Sequence, residues 1–193
     1  NLSSFTLEVW INHRNTTCSS GGENIIHKSI IGSPSSYPFS LTLLDPTICR
    51  LRLLIYDGTN NPGPSGTTEL NDSKWHHVVG MYNGSGASVY VDGQSISLGT
   101  QLNGASGLTS TLKIGNMVYS GSSYYFDGLI DEVKIYNISL SASQIRNIFE
   151  QENRSMNART IVFDETASGE GWYCQVTPND GYGDGLTKNS TSV

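Results

Sequence analysis

The chain has 193 residues, of which 15% are charged, and its formal net charge is −6. This acidic balance argues against nucleic acid as a partner, because phosphate binding needs a face rich in Lys and Arg. No apolar run reaches the roughly 18–20 residues that span a bilayer, and no charged and apolar leader opens the chain. The length suits one principal domain of up to about 150 residues with an appendage, so we expect a mature segment without a membrane span.

Alternation of apolar and polar residues predicts strands along most of the chain. In the first run, over residues 5–11, the odd-numbered residues are apolar and face one side of the strand. Turn signals such as Asp57-Gly58 and Asn83-Gly84 separate the later runs. Many short strands with regular turns predict an all-β, antiparallel sandwich. The further strands are predicted at 24–31, 38–44, 48–56, 75–82, 87–92, 94–98, 111–115 and 124–137.

One helix is predicted near 141–150. Ser141 lies three residues before Gln144, a capping-box spacing that satisfies free amides at a helix start. Ile145, Ile148 and Phe149 then fall on one face, which predicts that the helix packs against the sandwich.

The order of several sequence phrases closely resembles the laminin-G-like members of the concanavalin A-like jelly rolls. The resemblance covers roughly residues 1–150 and implies a jelly-roll β-sandwich domain over 1–153. Such domains usually begin with an extra strand before the opening phrase, so the resemblance implies a missing first strand and an open slot beside the strand at 128–137. The phrases are Phe5-Thr6-Leu7-Glu8-Val9-Trp10-Ile11, Trp75-His76-His77-Val78, Val89-Tyr90-Val91-Asp92-Gly93, Leu112-Lys113-Ile114-Gly115-Asn116, Phe126 to Tyr136, and Leu140 to Ile145.

The character of the sequence changes after Asn153, and further strands are predicted at 159–165, 171–177 and 185–193. The phrase from Trp172 to Gly181 resembles the end of immunoglobulin-like repeats in prokaryotic surface proteins. About 35 residues hold too few strands for an independent core. Residues 154–193 are therefore predicted to form a C-terminal β segment, which is either an incomplete immunoglobulin-like half-domain or a strand-donating tail.

Cysteines and sequons both favour an extracellular surface. Cys18 and Cys49 flank neighbouring predicted strands, so a disulfide between them is plausible in an oxidising compartment. If these two cysteines are paired, three alternatives remain for Cys174: it is bonded to another chain, its partner is lost by truncation, or it is a buried free thiol. Chance predicts about three or four N-glycosylation sequons, and accidental sequons are the alternative reading. The chain has seven, at Asn1, Asn15, Asn71, Asn83, Asn137, Asn153 and Asn189.

Catalysis is not expected. A glycoside hydrolase needs two carboxylates at one site, whereas the adjacent Asp131 and Glu132 face opposite sides of a strand. His76 and His77 are opposed in the same way, which favours packing roles over a metal site. The resemblance implies a possible calcium ion at Asp131, although calcium needs six to eight oxygens, and otherwise Asp131 is an ordinary strand residue.

Carbohydrate binding would use aromatic rings that stack on a sugar face. Tyrosine is equally ordinary in strands and their rims, so the sequence leaves both uses open. The candidates are Tyr37, Tyr56, Tyr119, Tyr124 and Tyr125.

Two functional hypotheses follow. The first is a non-catalytic, glycosylated subunit of a cell-surface filament or array, assembled head to tail by inter-subunit strand complementation into a homo-oligomer or polymer. It rests on the missing strand, the surplus C-terminal strands and the sequons. The alternative is a carbohydrate- or protein-binding adhesion module of a larger surface protein, which rests on the fold resemblance and the tyrosines.

Overall fold

The computed structural model describes residues 3–30, 38–57, 60–101, 110–119, 122–157, 175–176 and 188–189. The chain divides into two compact units, Asn1–Glu152 and Asn153–Val193. None of the helical residues within these described ranges forms a segment of the length and hydrophobicity that a membrane crossing requires.

The first unit is an antiparallel β-sandwich, which confirms the predicted fold class. One sheet has the strand order β11-β1-β5-β6-β7 and the other the order β4-β3-β2-β8, while β9 and β10 pair with each other. The strands are β1 (Phe5–His13), β2 (Glu23–Ile30), β3 (Phe39–Leu44), β4 (Arg50–Ile55), β5 (Trp75–Tyr82), β6 (Gly86–Val91), β7 (Gln94–Gln101), β8 (Ser110–Ile114), β9 (Asn116–Tyr119), β10 (Ser122–Tyr125) and β11 (Gly128–Tyr136).

The main hydrophobic core lies between the two sheets. The odd-numbered residues of β1 point into it, as the alternation predicts, and Leu7, Val9 and Ile11 are fully buried. The four-stranded sheet supplies the opposing layer, including Leu41 from β3 and Leu53 from β4. Each buried side chain of this size stabilises the fold by about 1.5–3 kcal/mol.

Helix α1 (Ala142–Asn157) covers the outer face of the five-stranded sheet. Ser141 and Gln144 form the predicted capping box: the Ser141 amide donates to Gln144 Oε1 at 2.9 Å, and the Gln144 amide donates to Ser141 Oγ at 3.3 Å. Ile145 is fully buried, and Phe149 stacks on Trp10 with ring centroids 5.9 Å apart. The helix extends beyond the predicted end at 150 because the polar residues that follow include good helix formers such as Gln, Glu and Arg.

The predicted strand at 124–137 is wrong as a single element, since the structure divides it into β10 and β11. Phe126 interrupts it: its ring enters the core and its amide donates to the Gly115 carbonyl at 3.0 Å. Gly128 then passes so close to β1 that a Cβ there would lie 2.2 Å from the Asn12 carbonyl oxygen. β10 folds back onto β9, a strand that the sequence pattern misses.

The second unit contains a short antiparallel pair, β12 (Gln175–Val176) and β13 (Lys188–Asn189). These strands fall within the predicted runs at 171–177 and 185–193. The predicted strand at 159–165 and Cys174 lie outside the described residues. The immunoglobulin-like resemblance of this segment stays a prediction.

Candidate functional site

A polar groove of about 310 Å³ lies on the outer face of the four-stranded sheet. The alternation that sends Leu41 and Leu53 into the core sends their neighbours Thr42 and Arg52 to the opposite face. The groove is lined by Gly21, Asn24, Ser40, Thr42, Leu44, Arg52, Leu54, Asn61 and Met117.

The floor of the groove is a row of polar side chains across three strands. Thr42 lies opposite Asn24 on one side and opposite Arg52 on the other. Ser40 Oγ donates to Asn24 Oδ1 at 2.7 Å, and Thr42 Oγ1 donates to the Glu23 carbonyl at 2.7 Å, so both hydroxyls are held in place. Arg52 Nε is buried and has no hydrogen-bond partner among the described residues. A buried donor of this kind costs about 1–3 kcal/mol until an acceptor satisfies it.

The walls of the groove are fixed by backbone contacts. On one side the loop that follows β4 runs along that strand, because the Leu53 and Ile55 amides donate to the carbonyls of Pro64 and Pro62 at 3.1 and 2.9 Å. These bonds tie part of that loop to β4, and the loop carries Asn61 into the lining.

The β9–β10 hairpin forms the other wall. Its Met117 lines the groove, and the ring of Tyr124 lies against Gly21. A Cβ at Gly21 would lie 2.1 Å from Tyr124 Cε1, so the close approach depends on glycine there.

The predicted sugar-stacking tyrosines do not form a common platform among the described side chains. Tyr124 touches Gly21 at the groove wall, Tyr125 is exposed on β10, and Tyr56 lies just beyond β4. The side chain of Tyr119 and the whole of Tyr37 lie outside the described residues. Sequence reasoning based on aromatic rings misses Arg52 and Asn24. The alternation of polar and apolar residues along β3 and β4 nevertheless predicts a polar outer face on these strands.

Asp131 is exposed on β11, and its Oδ1 accepts a hydrogen bond from the Glu132 amide at 2.8 Å. Within the described residues, neither group of three potential metal ligands includes Asp131. One exposed carboxylate does not supply the six to eight oxygens that calcium requires, so a calcium ion at Asp131 stays a prediction.

His76 and His77 lie on opposite faces of β5, as predicted. His76 is held between two aspartates, with Nδ1 2.9 Å from Asp92 Oδ2 and Nε2 3.0 Å from Asp72 Oδ1. The hydrogen bond to Asp92 outweighs partial burial and raises the His76 pKa. His77 is buried beneath α1 and packs against Phe149.

A charged network joins α1 to the five-stranded sheet beside His77. Lys134 Nζ donates to Glu8 Oε1 at 3.1 Å and also to Glu152, while Trp10 Nε1 donates to Glu152 Oε2 at 2.6 Å. Burial alone would raise the Glu8 pKa, but the nearby His77 imidazole and the hydrogen bonds from Lys134 and Tyr136 outweigh it and lower that pKa. The network therefore holds the helix in place and occupies this face of the sandwich.

The structure joins Cys18 and Cys49 in the predicted disulfide, with their Cα atoms 5.4 Å apart. His13 and Glu23 lie beside it, both buried, with His13 Nε2 3.0 Å from Glu23 Oε2. Burial opposes both charges, but their mutual hydrogen bond prevails: the His13 pKa is raised and the Glu23 pKa is lowered.

The predicted N-glycosylation acceptors differ in the hydrogen bonds that their side-chain amides make. Asn83 is exposed in a turn that uses its Oδ1, which accepts from the Ser85 and Gly86 amides at 3.1 and 2.8 Å. The Asn71 Nδ2 instead donates to the carbonyls of Thr16 and Thr47. Asn15, Asn137 and Asn153 are exposed, and Asn15 Nδ2 donates to Asp127 Oδ2. Asn1 and the Asn189 side chain lie outside the described residues.

The sandwich is open along one side, between the edge strands β8 and β11. Leu112 and Ile114 face the core side, since Ile114 pairs with the fully buried Ile26, yet they are 41% and 51% exposed. On the other sheet Ile135 pairs with the fully buried Leu7 and is 47% exposed. No strand in the described ranges pairs with the outer edge of β8 or β11. The resulting slot of about 270 Å³ is lined by Ser4, Phe5, Lys28, Phe39, Leu112, Ile135, Tyr136 and Asn137.

Residues 1–146 match the laminin G family model described as the concanavalin A-like lectin/glucanases superfamily. A comparison with the curated proteins finds no match to the sequence.

Solved structures share the fold. The binding domain of Paraclostridial Mosquitocidal Protein 1 is 14% identical, with a TM-score of 0.58 over 78% of this chain and 37% of that chain. Trypanosoma rangeli sialidase in complex with 2,3-difluorosialic acid is 24% identical, with a TM-score of 0.59 over 78% of this chain and 23% of the sialidase. A Bacteroides ovatus protein assigned to carbohydrate binding is 21% identical, with a TM-score of 0.57 over 75% of this chain and 40% of its own. The chain spans less than half of each, and such low identities show the fold alone.

Proposed function

Because the chain belongs to the concanavalin A-like lectin/glucanase superfamily, we propose that it is a non-catalytic binding module that holds a saccharide in the groove on the outer face of β2, β3 and β4. The observation that carries the proposal is the unpaired Arg52 Nε at the polar floor of that groove.

The groove has the chemistry that a sugar ring needs. Arg52 and Asn24 offer fixed donors and acceptors to hydroxyl groups, and Met117, Leu44 and Leu54 offer apolar surface to the C–H face of the ring. Its volume lies near the lower end of small-molecule sites, about 300–1,000 Å³, which favours the end of a glycan over a long internal stretch.

The lining also supports a role without catalysis. Glycoside hydrolysis uses two carboxyl groups on either side of the scissile bond. Among the described residues that line the groove, none is Asp or Glu. Bound sugar would therefore meet hydrogen-bonding groups and no acid or nucleophile.

The proposal is tested by glycan-array binding of the wild-type chain and of Arg52→Gln. The matched control is Arg50→Gln, because Arg50 lies on the same face of β4 but pairs with Asp45 at 3.4 Å and does not line the groove. We expect Arg52→Gln to weaken binding at least tenfold and Arg50→Gln to leave it unchanged. Equal binding by all three proteins, or no binding to any glycan with or without calcium, contradicts the proposal.

The disulfide and the family are typical of extracellular proteins, and we place the chain in a glycosylated cell-surface setting. The turn geometry supports occupation of Asn83, whereas a glycan on Asn71 would break its hydrogen bonds to Thr16 and Thr47. Mass spectrometry of the chain from a glycosylating host should find the Asn83 peptide modified and the Asn71 peptide bare. The opposite pattern contradicts this assignment.

A second candidate function is assembly into a filament, in which a strand from a second copy fills the slot between β8 and β11. It is supported by Leu112, Ile114 and Ile135, which face the core side and yet are exposed. They lie on edge strands whose outer edges pair with no other strand in the described ranges. A strand with alternating apolar residues would cover these side chains and pair with an edge.

Light scattering across a range of concentrations tests assembly. We expect concentration-dependent oligomers that Ile135→Lys abolishes and that the control Ile138→Lys retains, since Ile138 is equally exposed but outside the slot lining. A monodisperse monomer at all concentrations contradicts the filament role and leaves the sugar-binding proposal intact.

A further inference from the structure

Three potential metal ligands meet around the disulfide, and a buried carboxylate lies beside them. His13 Nε2, Cys18 Sγ and Cys49 Sγ lie within 4.8 Å of one another, and all three residues are buried. Glu23 lies next to this group, with Oε2 3.0 Å from His13 Nε2. Two sulfurs, one imidazole and one carboxylate are a ligand set that Zn²⁺ accepts.

The imidazole of His13 has the orientation of a metal ligand. Its Nδ1 lies 2.7 Å from the Asn15 carbonyl oxygen, so this nitrogen carries the proton and donates it. Nε2 lies 3.0 Å from Glu23 Oε2 and 3.7 Å from Cys18 Sγ, so it borders both the carboxylate and the sulfurs. A metal-bound histidine characteristically donates its other ring N–H to a carbonyl or carboxylate, which fixes the ring.

Two backbone amides hold the Glu23 carboxylate in place. The Ser19 amide donates to its Oε1 at 3.0 Å, and the Asp127 amide donates to its Oε2 at 3.0 Å. These amides would offset the negative charge that two thiolates and a carboxylate bring to one cation. His13 and Glu23 already pair with each other beside the disulfide, and a pair of thiolates with a metal would use both groups as further ligands.

We propose that His13, Cys18, Glu23 and Cys49 form a Zn²⁺ site when the disulfide is reduced. Two molecules of a small thiol such as glutathione supply two electrons and two protons to the S–S bond and leave as their own disulfide. Zn²⁺ then displaces the protons of both thiols and any proton on His13 Nε2. The metal replaces the S–S bond as the link between the β1–β2 connection and the start of β4.

The geometry requires only a local change. At Zn–S distances of about 2.3 Å, two thiolates on one tetrahedral ion are about 3.7 Å apart. Cys18 and Cys49 have Cα atoms 5.4 Å apart, so rotation of the two side chains separates the sulfurs around the ion. His13 Nε2 already borders the sulfurs, and the Glu23 carboxylate lies 3.0 Å from that nitrogen.

Cobalt titration tests the proposal. The full chain carrying Cys174→Ser, which leaves only the two site thiols, is reduced with a phosphine and titrated with Co²⁺. We expect one equivalent to give thiolate-to-cobalt charge-transfer bands and the visible bands of tetrahedral Co²⁺, both removed by Zn²⁺. The oxidised chain should give neither.

Variants separate this site from other metal-binding groups. His13→Asn and Glu23→Gln should weaken Co²⁺ binding at least tenfold, while His77→Asn, in the separate group of Glu8, His77 and Glu152, should leave it unchanged. Cadmium-113 NMR of the reduced Cys174→Ser chain needs no change at the site and should report two thiolate ligands. Absence of the charge-transfer bands, a cadmium shift without sulfur ligands, or unchanged affinity in His13→Asn overturns the proposal.

Discussion

His27 should make the free energy of unfolding fall steeply between pH 6.5 and pH 4. Its side chain is buried on β2, and this burial, together with the positive charge of Lys113, lowers its pKa from 6.5 to about 4. Between pH 6.5 and pH 4 the His27 side chain is protonated in the unfolded chain but not in the folded chain. The stability present above pH 6.5 is therefore lost as the pH falls. At about 1.4 kcal/mol for each tenfold difference in proton affinity, the loss from pH 7 to pH 4 is about 3 kcal/mol.

Urea unfolding of the wild-type chain and of His27→Gln at pH 7, 5.5 and 4 measures this loss. The free energy of unfolding of the variant should decline by about 3 kcal/mol less than that of the wild type. Carboxylates such as Glu8 titrate in both proteins and cancel in the difference. Equal declines in the two proteins would refute the reasoning.

His76→Gln supplies a control of opposite sign. The pKa of His76 is raised by Asp92 and Asp72, so its contribution is present at acid pH and is lost as the pH rises through the folded-state pKa. This variant should therefore lose more stability at pH 5.5 than at pH 8, which global acid sensitivity alone cannot imitate.

Three substitutions test the packing by urea unfolding. Thr6→Val should cost about 1–3 kcal/mol, because the buried Thr6 hydroxyl donates to the Ile138 carbonyl and accepts from the Leu140 amide, both at 2.9 Å. The control is Thr17→Val at an exposed position, and equal small losses in the two variants contradict a stabilising role for these hydrogen bonds. Ile145→Ala should cost about 2–5 kcal/mol and Ile138→Ala well under 1 kcal/mol, because Ile145 is buried between α1 and the sheet whereas Ile138 is exposed. An unchanged stability of Ile145→Ala would mean that the helix does not pack against the sheet. Gly128→Ala should destabilise more than Gly80→Ala, since the added Cβ meets the Asn12 backbone oxygen at 2.2 Å in one case and the end of the Leu41 side chain at 2.9 Å in the other. The reverse order contradicts the close approach of β1 and β11.

The fold could be predicted because each hairpin carries its own signal. Alternation along β1 identifies its core face, and the Ser141 and Gln144 spacing locates the start of α1. Where tertiary contacts override local pattern, prediction fails: Phe126 reads as a continuation of a strand but turns into the core. β9 is missed because its four residues have no turn signal between them and β8 other than Gly115, which adopts a φ of +71°.

The candidate groove is less visible in the sequence, since its residues come from strands far apart in the chain. Asn24, Thr42 and Arg52 become neighbours only through the pairing of β2, β3 and β4. Their residue types are ordinary on a solvent-facing strand surface. The Arg52 Nε is buried in the groove that the loop after β4 and the β9–β10 hairpin line on either side.

The two outer faces of the sandwich differ in what covers them, and this difference supports the proposed binding groove on the four-stranded sheet. On the five-stranded sheet the outward residues Thr6, Glu8 and Trp10 are buried by α1 and the segment before it, and the charged groups there are paired with Lys134 and Glu152. On the four-stranded sheet the loop after β4 and the β9–β10 hairpin stand at the sides and leave a groove between them. The slot at β8 and β11 opens instead onto the core side. Binding variants at Arg52 and assembly variants at Ile135 should therefore act independently, and their combined effects should add.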